Sequence, residues 1–385
     1  MKICFQTKTW GEGTGWFAQE LASALAENGA DVIYVAPKAV PAERDPKHPR
    51  VTRYVSRREL GNGPLLPRVL SSLARVRDGI FGCLSARLQT NTYLFSIPDP
   101  MPFFLPLQAM LRLLGARVYL IVHDATPHAW AGRARPPFWG RLALILSYRL
   151  SSHLIATTRD CRDEMIYRYN LSPARISVLP HGLFALGAPR DLPGNGNLLV
   201  FGSLRRNKQV LESIRAVQAC RAQGLKVTLT IAGAPDRADP SYWADCQAEI
   251  ARAPDGIACD IGFVPDDALE DLIAQSDAVL LPYRGFSSAS GVAILMALSQ
   301  RPLIASATGG IRDLFDTGMT GIALSADAGA EDIAAAISQF CAKPPAIWQQ
   351  EAQKARAILL KALSWHEIAK GYLAVINQRG AVPGT

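Results

Sequence analysis

Short apolar runs alternate with longer stretches of mixed polarity along most of the chain. In the first half the runs are KICFQT (2–7), DVIYVA (31–36), YLFSI (93–97), RVYLIV (117–122), HLIAT (153–157) and ISVLP (176–180). Runs of this length, rich in Val, Ile, Leu and Tyr, predict buried strands, and the amphipathic stretches between them predict helices. The segment HGLFALGAPRDLPGNGN, crowded with Gly and Pro, breaks the rhythm, which then restarts at NLLVFG (197–202) and continues through KVTLTIAG (226–233), GIACDIG (256–262), DAVLLPY (277–283) and RPLIAS (301–306). Strands separated by helices are the mark of βαβ units and a parallel sheet. The expected fold class is α/β, with two doubly wound, Rossmann-like domains facing a cleft, one over 1–188 and one over 189–363. A final helical period, SWHEIAKGYLAVINQ (364–378), places Trp365, Ile368, Tyr372 and Ile376 on one face and is expected to pack back on the first domain.

Two domains also suit the 385-residue length, which exceeds what a single core holds. Hydrophobic residues at 49% and charged residues at 19% describe a folded globular chain and exclude a disordered one. Charge changes the picture more. Residues 1–190 carry 24 Lys and Arg against 13 Asp and Glu, a net +11, whereas the remainder carries 17 against 20. A basic first half implies an anionic partner: a membrane surface, a phosphate-bearing substrate or nucleic acid. No interleaving of aromatic and basic residues favours nucleic acid, so none is expected. The seven cysteines are odd in number and contain no C-x-x-C pair, which argues against a disulfide framework or a zinc site. MKICFQTKTW turns polar too soon for a signal peptide, and no apolar run approaches the roughly 18 residues of a membrane span. The expected location is therefore cytoplasmic. MPFFLPLQAMLRLLG (101–115) reads either as a buried core helix or as a helix lying on a bilayer.

In open α/β sheets, ligands collect where strands deliver their carboxyl ends into loops. Four unusual segments occupy such ends: TKTWGEGTG, HDATPH, GSLRRNK and PYRGFSSASGV. In GSLRRNK a strand ends at Gly202, and Arg205 and Lys208 precede a helix. Two cations beside a helix N-terminus suit a pyrophosphate, because side-chain charge adds to backbone N–H groups and the helix dipole. In the last segment the serines can cap a helix beginning at Ser290–Gly291, while small side chains let a phosphate approach.

The run FGSLRRNK, IAGAP, IGFVPDDALEDLIAQSDAVLLPYRGFSSASGVAILMALSQRPLIASATGGIRDLF resembles the donor half of GT-B glycosyltransferases. It is most similar to a branch near glycosyltransferase family four that includes bacterial exopolysaccharide β-mannosyltransferases. VHDATPH and PHGLF are similar to that branch's first half, so the resemblance spans about residues 1–378. It implies that Arg205 and Lys208, with Gly202 at the strand end, neutralise a donor diphosphate. It also implies that Ser290 and Gly291 supply phosphate N–H contacts, that the Phe263–Val264 backbone meets the nucleotide base, and that His123 touches the donor sugar. The loop from Gly11 to Gly15 would face donor and acceptor. Typical family-four members carry E-x7-E across the helix after PYR, one Glu near the sugar and one on the ribose. Here those positions read Ser287 and Leu295.

With both carboxylates replaced, the expectation shifts towards an inverting transfer, which needs a base to take the acceptor's proton. Asp124, Glu12 and Asp99 are the candidates by their place at strand ends. His128 and His181 are expected to order their loops. The resemblance implies a hexosyltransferase whose substrate, not cofactor, is a GDP- or UDP-linked sugar, and whose acceptor is a polyprenyl-diphosphate-linked oligosaccharide in surface or exopolysaccharide assembly. It implies a peripheral place on the inner face of the cytoplasmic membrane, held through the basic first half. No metal is expected, since no D-x-D motif occurs. The alternative is a catalytically silent GT-B subunit that binds a nucleotide sugar or a partner enzyme.

Overall fold

The computed structural model describes residues 1–8, 12–37, 45–53, 65–127, 130, 138–184 and 187–378, the side chains of residues 12–14 and 65 excepted. The chain forms two compact units, Met1–Gly182 together with Trp365–Thr385, and Leu183–Ser364. The changeover lies at Gly182 rather than 188, because Leu183 donates to the carbonyl of Leu363 (3.1 Å) and is buried in the second unit's core.

In the first unit seven parallel strands run in the order β3-β2-β1-β4-β5-β6-β7. They are β1 (Lys2–Gln6), β2 (Asp31–Val35), β3 (Val51–Arg53), β4 (Thr92–Phe95), β5 (Arg117–Val122), β6 (His153–Ala156) and β7 (Ile176–Val178). Alternate side chains enter opposite cores, as the two-residue period of a strand requires. Ile3, Phe5, Tyr119 and Ile121 meet α1 (Glu12–Glu27) and the C-terminal helix Trp365–Gln378. Cys4, Val118 and Leu120 meet the layer formed by α2 (Leu65–Ala86), α3 (Met101–Leu113), α4 (Phe138–Leu150) and α5 (Arg159–Tyr169). The C-terminal helix buries Ile368, Tyr372 and Ile376, and Tyr119 Oη reaches the carbonyl of Ile376 (3.3 Å).

Two expectations change here. In place of a loop from Gly11 to Gly15, α1 begins at Glu12, so Gly13 and Gly15 are helical. Glycine costs a helix interior roughly 1 kcal/mol relative to alanine, but the fully buried Phe17, Leu21 and Leu25 farther along α1 outweigh that. The 101–115 segment is a core helix on one side: Phe104, Leu107, Gln108 and Leu111 are buried, and Gln108 Nε2 donates to Ser147 O (2.9 Å) and Ser151 Oγ (2.8 Å). Its other side leaves Phe103, Met110 and Leu113 in solvent.

The second unit repeats the plan with six parallel strands in the order β10-β9-β8-β11-β12-β13. These are β8 (Asn197–Phe201), β9 (Thr228–Gly233), β10 (Ile257–Ile261), β11 (Ala278–Leu281), β12 (Leu303–Ser306) and β13 (Gly321–Leu324). The periodicity did not announce β3 and β13, which are three and four residues long and carry no extended apolar run. Their pairing with β2 and β12 supplies what their own sequences lack. The helices are α6 (Val210–Ala222), α7 (Pro240–Arg252), α8 (Asp266–Ala274), α9 (Gly291–Leu298), α10 (Gly309–Thr317), α11 (Ala330–Ala342) and α12 (Pro345–Ala362).

The Gly- and Pro-rich entry to this unit is held by two buried polar groups. Asp277 accepts from the backbone of Gly194 and Gly196, each at 2.6 Å. Arg301 is only 1% exposed and donates to the carbonyls of Ile273 (2.8 Å), Arg190 (2.7 Å), Asp191 (3.2 Å) and Ala274 (3.2 Å). Burial lowers its pKa to about 10, which leaves it charged at neutral pH. Replacing it strands several carbonyls without donors, so Arg301→Met is expected to lower unfolding free energy by about 3 kcal/mol. Urea denaturation followed by circular dichroism measures this, and a midpoint equal to wild type would contradict the assignment.

Candidate functional site

In each sheet the strand order reverses once, between β1 and β4 and between β8 and β11. Helices leave on opposite sides there, so the carboxyl ends of those strands face open space. The second unit places the expected phosphate residues at such a point. Gly202, with φ of 110°, ends β8 and donates its N–H to Ala232 O (3.0 Å). A Cβ on Gly233 would overlap the carbonyl oxygen of Gly202, so only glycine fits at the end of β9. Gly262 in turn donates to Gly233 O (3.1 Å). Three adjacent strands therefore end in a ledge without side chains.

The groups around that ledge are positively disposed. A Cβ on Gly202 would lie 3.2 Å from Lys208 Nζ and 3.7 Å from Val292 Cγ2, so the ammonium and the first turn of α9 share the space above the Gly202 Cα. Lys208 Nζ also lies 5.1 Å from the centre of the Tyr283 ring. Gln209, left-handed at φ of 52°, donates to Pro282 O (2.7 Å), and Arg284 N donates to Asn207 O (2.8 Å). These bonds join the loop after β8 to the loop after β11. At α9, buried Ser290 accepts from Ala293 N (3.2 Å) as the N-cap. The N–H groups of Gly291 and Val292 belong to the first turn, which has no intrahelical partners for them. An anion is favoured there by the helix dipole as well as by Lys208.

Arg205 is arranged differently. Its half-exposed guanidinium lies 3.6 Å from Asp236 Oδ2, on the loop after β9. Arg206 turns to Asp239 (3.1 Å) and stacks 4.8 Å over Tyr242. Phe263, directly after the ledge, is 90% exposed, whereas Val264 packs partly into the core. Ser287 is half-buried in a loop whose next carbonyl, that of Ser288, accepts from Gly310 N (2.9 Å). Leu295 lies in the buried core of this unit, so its position on α9 presents no polar group.

In the first unit, Asp99 follows β4, and His123 and Asp124 follow β5. Asp99 is buried and accepts from Gln6 Nε2 (3.5 Å), across the strand reversal. His123 Nε2 and Ser96 Oγ are 3.1 Å apart, and the edge of Phe17 sits 4.8 Å from the His123 ring. Burial first, and the nearby His181 second, pull the His123 pKa down to about 3, which makes it a neutral imidazole. His181 is itself buried and donates from Nδ1 to Gly182 O (2.7 Å), 5.5 Å from the Trp365 ring. A side chain at 182 would run into Trp365, which gives the glycine of PHG its reason. Asp124 is half-buried, and Tyr148 Oη on Ala125 O (2.8 Å) steadies its loop. Gly11, His128 and the Glu12 side chain lie outside the described residues. Among the described residues no group of three or more His, Cys, Asp or Glu is gathered as a metal would require.

Sequence reasoning missed Gly233, Tyr283, Asp236, Gln6 and Ser96. A glycine at the end of each of β8, β9 and β10 was the one legible signal; the others depend on partners far along the chain.

A family model described as glycosyl transferases group 1 matches residues 195–343, and one described as glycosyltransferase family 4 matches residues 11–183. The solved structure of Anabaena HepE in complex with UDP and glucose has a TM-score of 0.71 at 18% identity, covering 98% of this chain and 100% of that one. The chain has the GT-B glycosyltransferase fold. Other GT-B likenesses include sucrose-phosphate synthase from Thermosynechococcus elongatus, with a TM-score of 0.68 and 16% identity over 98% of each chain. An E. coli trehalose-6-phosphate protein bound with UDP-2-fluoro glucose has a TM-score of 0.70 and 15% identity over the full length of both. No curated protein matches the chain in sequence.

The depressed pKa of His123 has a consequence for stability. The unfolded chain takes up a proton near the ordinary histidine value of 6.5, whereas the folded chain resists until about 3. The unfolded state binds more protons throughout that window, so acidification from pH 6.5 towards 3 favours unfolding. Thermal melts of His123→Asn should show a shallower loss of Tm across this window than wild type. Parallel curves would show that His123 carries no such coupling.

Proposed function

We propose that this glycosyltransferase carries a hexose from a nucleotide-diphosphate donor to a lipid-linked oligosaccharide in bacterial surface or exopolysaccharide assembly. The observation that carries the donor half is the meeting of Lys208 Nζ and the first turn of α9 above the Gly202 Cα. That space lies over strand ends that carry no side chains of their own, holds the Lys208 ammonium and is edged by backbone N–H groups, which matches the chemistry of a diphosphate. Arg205 is close enough in sequence to add a second cation once a phosphate competes with Asp236. Phe263 offers an exposed aromatic ring and backbone beside the ledge for the base. UDP is favoured over GDP by the UDP and UDP-sugar complexes among the similar folds.

The acceptor hydroxyl attacks the anomeric carbon as the bond from that carbon to the diphosphate oxygen breaks. The leaving diphosphate takes up negative charge, which Lys208, Arg205 and the α9 terminus are placed to stabilise. The hydroxyl proton goes to a carboxylate. We assign it to Asp124, which is partly exposed where Asp99 is buried, with Asp99 and Glu12 as the other candidates. Buried Asp99, held by Gln6, is better placed to order the β1 and β4 ends. Neutral His123 can exchange hydrogen bonds with a sugar hydroxyl without adding charge. Ser287 and Leu295, where typical relatives have glutamates, support an inverting rather than a retaining course. The polyprenyl-diphosphate acceptor is assigned to the basic first unit, and with it a peripheral place on the inner face of the cytoplasmic membrane.

Thermal-shift measurements against UDP-, GDP- and dTDP-sugars test the donor assignment, because a ligand that binds only the folded state raises Tm. A UDP-sugar is expected to give the largest shift, and Lys208→Ala to weaken binding about 10- to 100-fold. Silence from every nucleotide sugar would overturn the reading.

The missing glutamates also support a second reading, a subunit that binds donor without transferring it. Asp124→Asn decides between the two. It is expected to lower the transfer rate by about 10²- to 10⁴-fold while donor affinity stays constant. If Asp124→Asn, Asp99→Asn and Glu12→Gln all transfer at the wild-type rate, the assignment of a base fails. Donor binding without any transfer to lipid-linked acceptors would favour the silent subunit.

A further inference from the structure

The layer of α2, α3 and α4 has an outer surface that a water-facing surface would not choose. In α2 the exposed Leu66, Leu70 and Leu73 fall three and four residues apart and form one stripe. Leu66 is 69% exposed. Among the described side chains, α2 buries none before Val76, so its first turns extend past the core that Cys83 and Ala86 enter. On α3, Leu113 is 88% exposed, and on α4 Phe138 and Trp139 are 70% and 76% exposed. All three helices contribute to one core, on one side of the first sheet, so these side chains project from a single layer.

Charge on the same helices is one-sided. They carry six arginines, at 68, 75, 77, 112, 141 and 149, and one acidic residue, Asp78, which pairs with Arg77 at 2.8 Å. Leu, Phe and Trp interspersed with Arg suit the boundary between anionic headgroups and acyl chains. A second copy of this chain would set the same net positive layer against itself. Among the described residues no helix is long and apolar enough to cross a membrane.

We propose that the outer face of α2, α3 and α4 is a docking surface for an anionic lipid bilayer, with the N-terminal turns of α2 and the start of α4 entering the headgroup region. It names the contact behind the peripheral location proposed above and rests on that reading. Sedimentation of the full chain with phosphatidylcholine vesicles, with and without phosphatidylglycerol, tests it. Binding is expected only with phosphatidylglycerol and should weaken as salt rises. The variant Leu66→Glu/Leu70→Glu/Leu73→Glu is expected to bind at least tenfold more weakly, and Arg68→Glu/Arg141→Glu likewise. These positions are exposed, so unchanged circular dichroism and an unchanged UDP-sugar thermal shift should accompany the loss. Wild-type protein that ignores anionic vesicles, or a triple variant that binds them like wild type, would overturn the proposal. So would a dimer, seen by light scattering, that the triple variant dissolves while vesicle binding persists. Loss of the UDP-sugar shift with vesicle binding intact would instead strike the donor assignment and leave this surface standing.

Discussion

The arrangement of the second unit depends on how closely the ends of β8 and β9 approach. The carbonyl of Gly202 occupies the space where any side chain at 233 would begin. That contact keeps the strand ends flat and bare, and Lys208 and α9 come together above the same surface. A Cβ at 233 would collide with the Gly202 backbone, and one at 202 would come within 3.2 Å of the Lys208 ammonium. The Gln209 bond to Pro282 and the Arg284 bond to Asn207 are effective because they hold two loops over a platform that is already open.

Polar groups divide by how fully they are enclosed. Arg301 and Asp277 are buried and satisfied by backbone, and they hold the chain where it enters the second unit. His123 sits against the edge of Phe17 and is neutral. Arg205, half-exposed and paired with Asp236, keeps a charge that a stronger anion can recruit. The same distinction separates two carboxylates: Asp99 is buried against Gln6, while Asp124 retains access to solvent.

Much of the GT-B fold was legible because it is written in local periods. Apolar runs such as RVYLIV and DAVLLPY become β5 and β11, and the face of Ile368, Tyr372 and Ile376 is buried as its helical spacing implies. The loop read at Gly11–Gly15 and the omission of β3 and β13 share one cause. Each is decided by neighbours, through the buried face of α1 or through pairing with an adjacent strand, and not by the propensity of the residues themselves.

By itself the sequence determined the alternation of strand and helix, the basic first half, the cap at Ser290 and the absence of a carboxylate at Ser287 and Leu295. These are properties of neighbouring residues or of composition, so they survive without a fold. Only the tertiary structure decided that Lys208 faces Gly202 while Arg205 turns to Asp236, and that Asp99 is enclosed while Asp124 is partly open. It alone gathered the exposed apolar residues of α2, α3 and α4 into one layer. The physical reason is that each of these facts is a distance between segments far apart in the chain. Such distances are set by crossovers and strand order, which no local pattern encodes.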